Sequence, residues 1–307
     1  TDWVHDMTYR PKKKFDNFLL NRGMIDRKEI DALVGVLSIN NEFYGTYQDW
    51  KTKDYALIAR IFGQFLIYEI GTGKIIHNVP FAIRANHISA TPLTEKEKIK
   101  LFQKVMINDE LGINFFDEAY NKTKQLDPTN IPGKYTKIGK FEFSKAALKS
   151  FATTDDKLFG SKFGSFFESE LVGRTDAQFV PMSIGDSEAG NKIKMTFGDG
   201  ERTLTIPEAT FNVSVLVRKA QLIEKTRGKQ RTICPAVAIT LNVSDAMDTI
   251  TNLKFAIFKD ACGVTSIDQK LNMRYRYSRS LFSLLQNMAM QFGMPEPSAE
   301  WLERNAA

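Results

Sequence analysis

Apolar residues recur along the chain with two different periods, and the switch between them organises it. From Phe15 to Leu37 they fall at helical spacing: Phe15, Phe18 and Leu19, then Ile30, Leu33, Val34 and Leu37. Gly23 divides this run, so the pattern predicts two helices. Residues 53–68 fit a helix, or a helix followed by a strand. "FLIYEIGTGKIIHNV" reads as a hairpin turning at Gly71 and Gly73. Thr94 and Glu97 form a capping box ahead of "EKEKIKLFQKVMI". They predict a helix with the apolar stripe Ile99, Phe102, Val105 and Met106. Another helix is expected near 109–125.

"DPTNIPG", at 127–133, has the composition of a linker. Beyond it the period shortens to two. "KYTKIGKFEF" alternates as a strand does, a short helix is expected at 144–151, and 177–243 reads as mostly β. "NKIKMTF" and "RTLTI" flank "GDGE", a hairpin signal because Asp-Gly supports positive φ. "ATFNVSVLVRKAQLI" and "RTICPAVAITLNV" flank a basic tip. Helices are expected at about 245–260 and about 266–292, the second opened by Ser266 with Gln269 and closed by Gly293 and Pro295. The predicted class is α+β: an antiparallel β-rich central and C-terminal region with a long basic β-hairpin, flanked by N-terminal and C-terminal helices. Two lobes are expected. Residues 1–127 read as mainly helical, with one hairpin and a basic N-terminal arm. Residues 128–307 read as a β-rich lobe holding the basic ribbon and the C-terminal helices.

Composition narrows this modestly. The chain of 307 residues is 43% hydrophobic, enough for a substantial core. Its net charge of +6 favours a polyanionic partner only weakly, so the placement of charge matters more than its sum. The two cysteines, Cys234 and Cys262, show no CxxC spacing and fit a reducing compartment. The lead "TDWVHDMTYRPKKKF" has no apolar stretch behind its charges and does not read as a signal peptide. No apolar run approaches the ~18 residues that span a bilayer. The expectation is a soluble, intracellular protein without a membrane partner, cytoplasmic or, if viral, in the host cell or virion.

Positive charge gathers in four short stretches. At the ribbon tip, Lys225, Arg227, Lys229 and Arg231 occupy alternate positions. Alternation in a strand puts Lys225 with Arg227, and Lys229 with Arg231. Whether the two pairs share a face depends on whether Arg227-Gly228 or Gly228-Lys229 is the turn. Pro235 marks an edge or a bulge just below. In "KLNMRYRYSRSLF", Arg274 falls on the apolar stripe of Leu281, Leu285, Met288 and Phe292, where a guanidinium must be paired or face an anion. Arg276 and Arg279 fall on the far side, and Tyr275 and Tyr277 are candidates to stack bases. In "KYTKIGKFEFSK", Lys134, Lys137 and Lys140 interleave with Tyr135 and Phe141, the pattern of a single-strand binding face and equally of a half-buried basic strand. The last stretch is the arm with Lys12, Lys13 and Lys14. "FGSKFGSFF" reads as packed interior, or as a loop contacting phosphate or a neighbouring subunit.

Catalytic signatures are missing. "GTGK" lacks the spacing of a phosphate loop and is followed by Ile75, which has no hydroxyl for magnesium. The three histidines, His5, His77 and His87, make no metal motif, and there is no GxSxG elbow. Neighbouring acids such as Asp117 and Glu118 diverge on a helix. The expected function is a non-enzymatic, sequence-tolerant nucleic-acid binder without a cofactor, single strands favoured, with a homo-oligomer as a further partner expectation. The alternatives are a self-assembling coat, nucleocapsid or tail subunit, and a metal-dependent nuclease-like enzyme.

Overall fold

The computed structural model describes residues 33–48, 52–107, 114–124, 126–127, 130–152, 156–172, 174–175, 178–181, 192–197, 200–245, 249–257, 262–267 and 272–292. Strands β1 (Leu33–Gln48), β2 (Tyr55–Glu69) and β3 (Ile75–Ser89) form an antiparallel sheet in the order β1-β2-β3. The β2–β3 hairpin turns where "GTG" places it. Leu33, Val34 and Leu37, expected in a helix, lie in β1; residues 15–32 fall outside the described ones. The helical reading of Leu33, Val34 and Leu37 is corrected accordingly, and three long strands dominate the described part of 1–127. The physical reason is burial on both faces. Phe43 and Phe62 face one core, while Leu57, Ala59 and Ile61 face another. A sheet covered on both sides loses its polar alternation and its apolar positions mimic helical spacing.

Helices α1 (Glu95–Ile107) and α2 (Phe115–Thr123) cover one of those faces. The capping box is present: Thr94 N donates to Glu97 Oε2 at 2.7 Å and Glu97 N to Thr94 Oγ1 at 3.3 Å. The stripe of α1 is Leu101, Phe102, Val105 and Met106, whereas Ile99 is exposed. Asn114 caps α2 through Phe116 N.

Strand β4 (Thr136–Phe143) leads into α3 (Lys145–Phe151), capped by Ser144, and α4 (Asp156–Val172). β5 (Lys192–Phe197) and β6 (Gly200–Thr205) form the hairpin expected around "GDGE". β7 (Phe211–Arg227) and β8 (Gln230–Ser244) form the long ribbon, followed by β9 (Thr249–Ile257), β10 (Gly263–Ser266) and α5 (Met273–Phe292). β4 runs parallel to β7; β8, β9 and β10 join antiparallel. The helix expected at 245–260 is therefore strand β9, in which Leu253, Phe255 and Ile257 pair with Leu241, Ile239 and Val237 of β8. The final helix begins at Met273, not Ser266. Ser266 ends β10, and Asn272 caps the helix by accepting from Tyr275 N at 3.1 Å. The overall class is α+β.

Apart from the β5–β6 hairpin, the described elements stack in four layers: α1 and α2, the three-stranded sheet, then α3, α4 and α5, then the five-stranded sheet. The largest core lies between the helices and the inner face of the second sheet, where "FGSKFGSFF" sits on α4 as packed interior. Phe159, Phe163, Phe166 and Phe167 are all buried there. Gly160 lets α4 touch β4, because a Cβ there would lie 2.1 Å from the Phe141 carbonyl oxygen.

Candidate nucleic-acid interface

The ribbon register settles the turn. Arg227 pairs with Gln230, so Gly228 and Lys229 are the central residues, with Gly228 at φ +59°. Positive φ at the first central position suits a two-residue hairpin loop and favours glycine. With 17 residues, β7 extends roughly 55 Å at about 3.3 Å per residue.

Register also assigns faces. Val213, Val215 and Val217 of β7 and Ile138, Phe141 and Phe143 of β4 are buried on the helix side. The alternate residues therefore point outward. On β4 these include Lys137, Lys140 and Glu142. A bulge between Val217 and Lys219 shifts the count by one, so Lys219, Ile223, Lys225 and Arg227 of β7 also point outward. Two stretches far apart in sequence, the β4 lysines and the ribbon, thus share one surface. Setting aside Arg218, which sits in the bulge itself, it carries five cations against a single carboxylate, Glu142, among the described side chains of β4, β7, β8 and β10. Lys140, Lys219, Lys225 and Arg227 are exposed and Lys137 is half-buried. Leu216, Ile223 and Val264 lie among them, 36%, 43% and 46% exposed. None of the five described helices lies on this face.

The other predicted residues fall elsewhere. Lys229 is exposed at the turn. Arg231 points to the helix side, opposite Thr226, and its Nη1 donates to Glu224 at 3.3 Å. It does not share a face with Lys225 and Arg227. Glu224 and Arg231 meet diagonally, since Glu224 sits opposite Ile233. Lys134 is exposed just before β4, with Nζ 5.9 Å from the Phe211 ring. Arg274, Arg276 and Arg279 belong to α5, beneath the sheet and across it from Lys225. Arg274 is not buried in the stripe; it is exposed, over the Phe159 ring at 5.1 Å. Arg276 is half-buried and Arg279 exposed. Lys12, Lys13 and Lys14 lie outside the described residues.

The expected stacking surface is corrected. Tyr135, Phe141, Tyr275 and Tyr277 are all buried. Tyr135 Oη donates to the Ile76 carbonyl at 2.9 Å, and burial raises the hydroxyls of Tyr135 and Tyr277 above the ordinary phenol range. Phe141 stacks on Phe163 with centroids 5.8 Å apart, and Tyr277 packs on Phe151 at 5.6 Å. Interleaving of Lys with aromatic residues on β4 arises because one face meets the core and the other meets water.

The cysteines also depart from expectation. Cys234 and Cys262 are joined in a disulfide, Cα atoms 4.1 Å apart, instead of standing as free thiols. The bond ties the segment entering β10 to β8 at the base of the tip. Two cysteines 28 residues apart meet because β10 pairs alongside β8.

No helix among the described residues is long and apolar enough to cross a membrane. Among the described residues no three of His, Cys, Asp and Glu come together to hold a metal ion. No protein-family model matches the chain, and no curated protein matches it.

Proposed function

We propose that the protein binds nucleic acid stoichiometrically and with little regard to sequence, through phosphates laid along the outer face of the five-stranded sheet. The observation that carries this reading is the gathering of Lys137, Lys140, Lys219, Lys225 and Arg227 on that face with one opposing acid. Lysine and arginine on a broad β surface neutralise phosphates, release counterions and read no base edges. With Tyr135, Phe141, Tyr275 and Tyr277 buried, stacking contributes nothing to this mode, and the earlier ground for favouring single strands falls away. Leu216, Ile223 and Val264 offer apolar contact to sugars between the charges.

Fluorescence anisotropy of labelled oligonucleotides tests it, using two unrelated sequences, each single-stranded and duplex. Binding is expected at low salt. The double variant Lys225→Glu/Arg227→Glu is expected to weaken it about equally for every sequence. Absence of binding at about 50 mM salt contradicts the proposal. So does large regular particle formation by light scattering without nucleic acid and with no change on its addition; that result identifies an assembly subunit instead.

A further inference from the structure

A second feature lies away from the outer face. Between α4, the start of α5 and the edge strand β1 is a cavity of about 290 Å³. Its cationic lining comes from Lys162 and Arg274, and none of its lining residues is acidic. No described carboxylate pairs with Arg274. Its guanidinium lies over Phe159, which leaves its other plane and its edges to a ligand. The first turn of α5 opens here, where backbone N–H groups and the helix dipole favour an anion. Asn272 holds that turn to β1 by donating Nδ2 to the Thr46 carbonyl at 3.0 Å.

A helix N-terminus alone would not make a site, but Ser278 supplies a second observation. It lines the cavity, is 1% exposed, and its Oγ has no hydrogen-bond partner among the described residues. A buried hydroxyl without a partner costs free energy that a ligand can recover. On the opposite wall, β1 pairs only with β2 among the described strands. Alternate backbone groups along Tyr44, Gly45 and Thr46 therefore face away from the sheet; the Thr46 carbonyl is taken by Asn272, and the others offer donors and acceptors. Beneath the wall, Arg60 adds positive potential. It sits over the Phe282 and Phe166 rings at 4.2 and 4.6 Å. No carboxylate among the described residues comes within ion-pair distance of it.

We infer that this cavity binds a nucleoside monophosphate: the phosphate against Arg274 and the start of α5, the base on the guanidinium plane with its edge on the β1 backbone. The Arg274 guanidinium calls for an anion, the strand edge for a group with mixed donors and acceptors, and the volume for a ligand of that size. The inference goes beyond the outer-face reading and stands on different residues.

Isothermal titration of the full chain with adenosine 5′-monophosphate, adenosine and inorganic phosphate tests it. Saturable binding of the monophosphate is expected, with adenosine and phosphate each about tenfold weaker or worse. Arg274→Gln is expected to weaken the monophosphate about tenfold. Lys225→Glu/Arg227→Glu should leave it unchanged, so loss of oligonucleotide binding and loss of cavity binding remain separate results. Failure of the monophosphate to saturate overturns the inference. Phosphate binding as tightly as the monophosphate, or an Arg274→Gln variant that binds like wild type, does the same. A free nucleotide and a 5′-phosphorylated chain end share this chemistry. Competition by a 5′-phosphorylated oligonucleotide, but not by its 5′-hydroxyl twin, assigns the chain end; no competition by either assigns the free nucleotide.

Discussion

Replacing Glu168 by Gln should make the protein more stable at neutral pH. Glu168 is fully buried on α4, facing Asn78 of β3, whose Nδ2 donates to Oε1 at 3.0 Å. Its Oε2 and the Asn78 Oδ1 have no partner among the described residues. Burial without a compensating cation pushes the carboxyl up from 4.5 to about 8, opposed only by the Asn78 hydrogen bond. A proton on Oε2 turns that oxygen into a donor for the unused acceptor on its own partner. The folded pKa is thus above the unfolded one, so folding takes up a proton. The associated stability is fully present below about pH 4.5, declines as the pH rises and is lost above about 8. Each pH unit in that window costs about 1.4 kcal/mol, or about 3 kcal/mol by pH 7. Glutamine keeps the acceptor, supplies a permanent donor and carries no charge. Urea unfolding followed by circular dichroism at several pH values measures the difference between wild type and Glu168→Gln, in which the other titrations cancel. The difference should be near zero at pH 4.5 and grow steadily toward pH 8 in favour of Gln. Parallel stability profiles, or a Gln variant that is less stable at pH 7, refute the reasoning.

Gly160→Ala should lower stability by about 3 kcal/mol or prevent folding, because the new Cβ meets the Phe141 carbonyl oxygen at 2.1 Å and backbone cannot turn aside. A gain of about 1 kcal/mol in urea unfolding free energy, as helix propensity alone would give, would mean α4 is not seated on β4. Cys234→Ser should cost about 3–4 kcal/mol by opening a loop closed across 28 residues, read as a lower melting temperature that reductant reproduces in wild type but does not lower further in the variant. Gly228→Ala should cost only about 1 kcal/mol in the same assay, since its φ of +59° strains a side chain although nothing lies within 4 Å.

What could be read from sequence was local. The Thr94–Glu97 capping box and the "GTG" turn each act within a few residues, and each element stands where they put it. β1 and β2 were harder because layers on both faces bury both sides of the strand. Leu33, Val34, Val36 and Leu37 carry no alternation that separates them from a helix stripe. β9 was hidden for a different reason: pairing with β8, a contact outside its own segment, makes it a strand. At the site, the ribbon's Lys225 and Arg227 were visible as a cluster. The parallel register that brings Lys137 and Lys140 to the same surface joins segments about 75 residues apart and leaves no trace in spacing. The same holds for the bulge that turns Lys219 outward, and for the meeting of Lys162, Arg274 and β1 around one cavity. Tyr275 and Tyr277 misled because a helix start rich in Arg and Tyr looks alike whether its rings meet solvent or, as here, Gly45 and Phe151.

The salt dependence of oligonucleotide affinity tests the central claim most directly. Log affinity plotted against log salt concentration should fall with a slope of about −0.9 for each phosphate neutralised on a duplex. Lys225→Glu/Arg227→Glu should make that slope shallower by about two, one for each contact removed. An affinity that ignores salt, or a slope left unchanged by the double variant, contradicts a phosphate track on the outer face of the sheet.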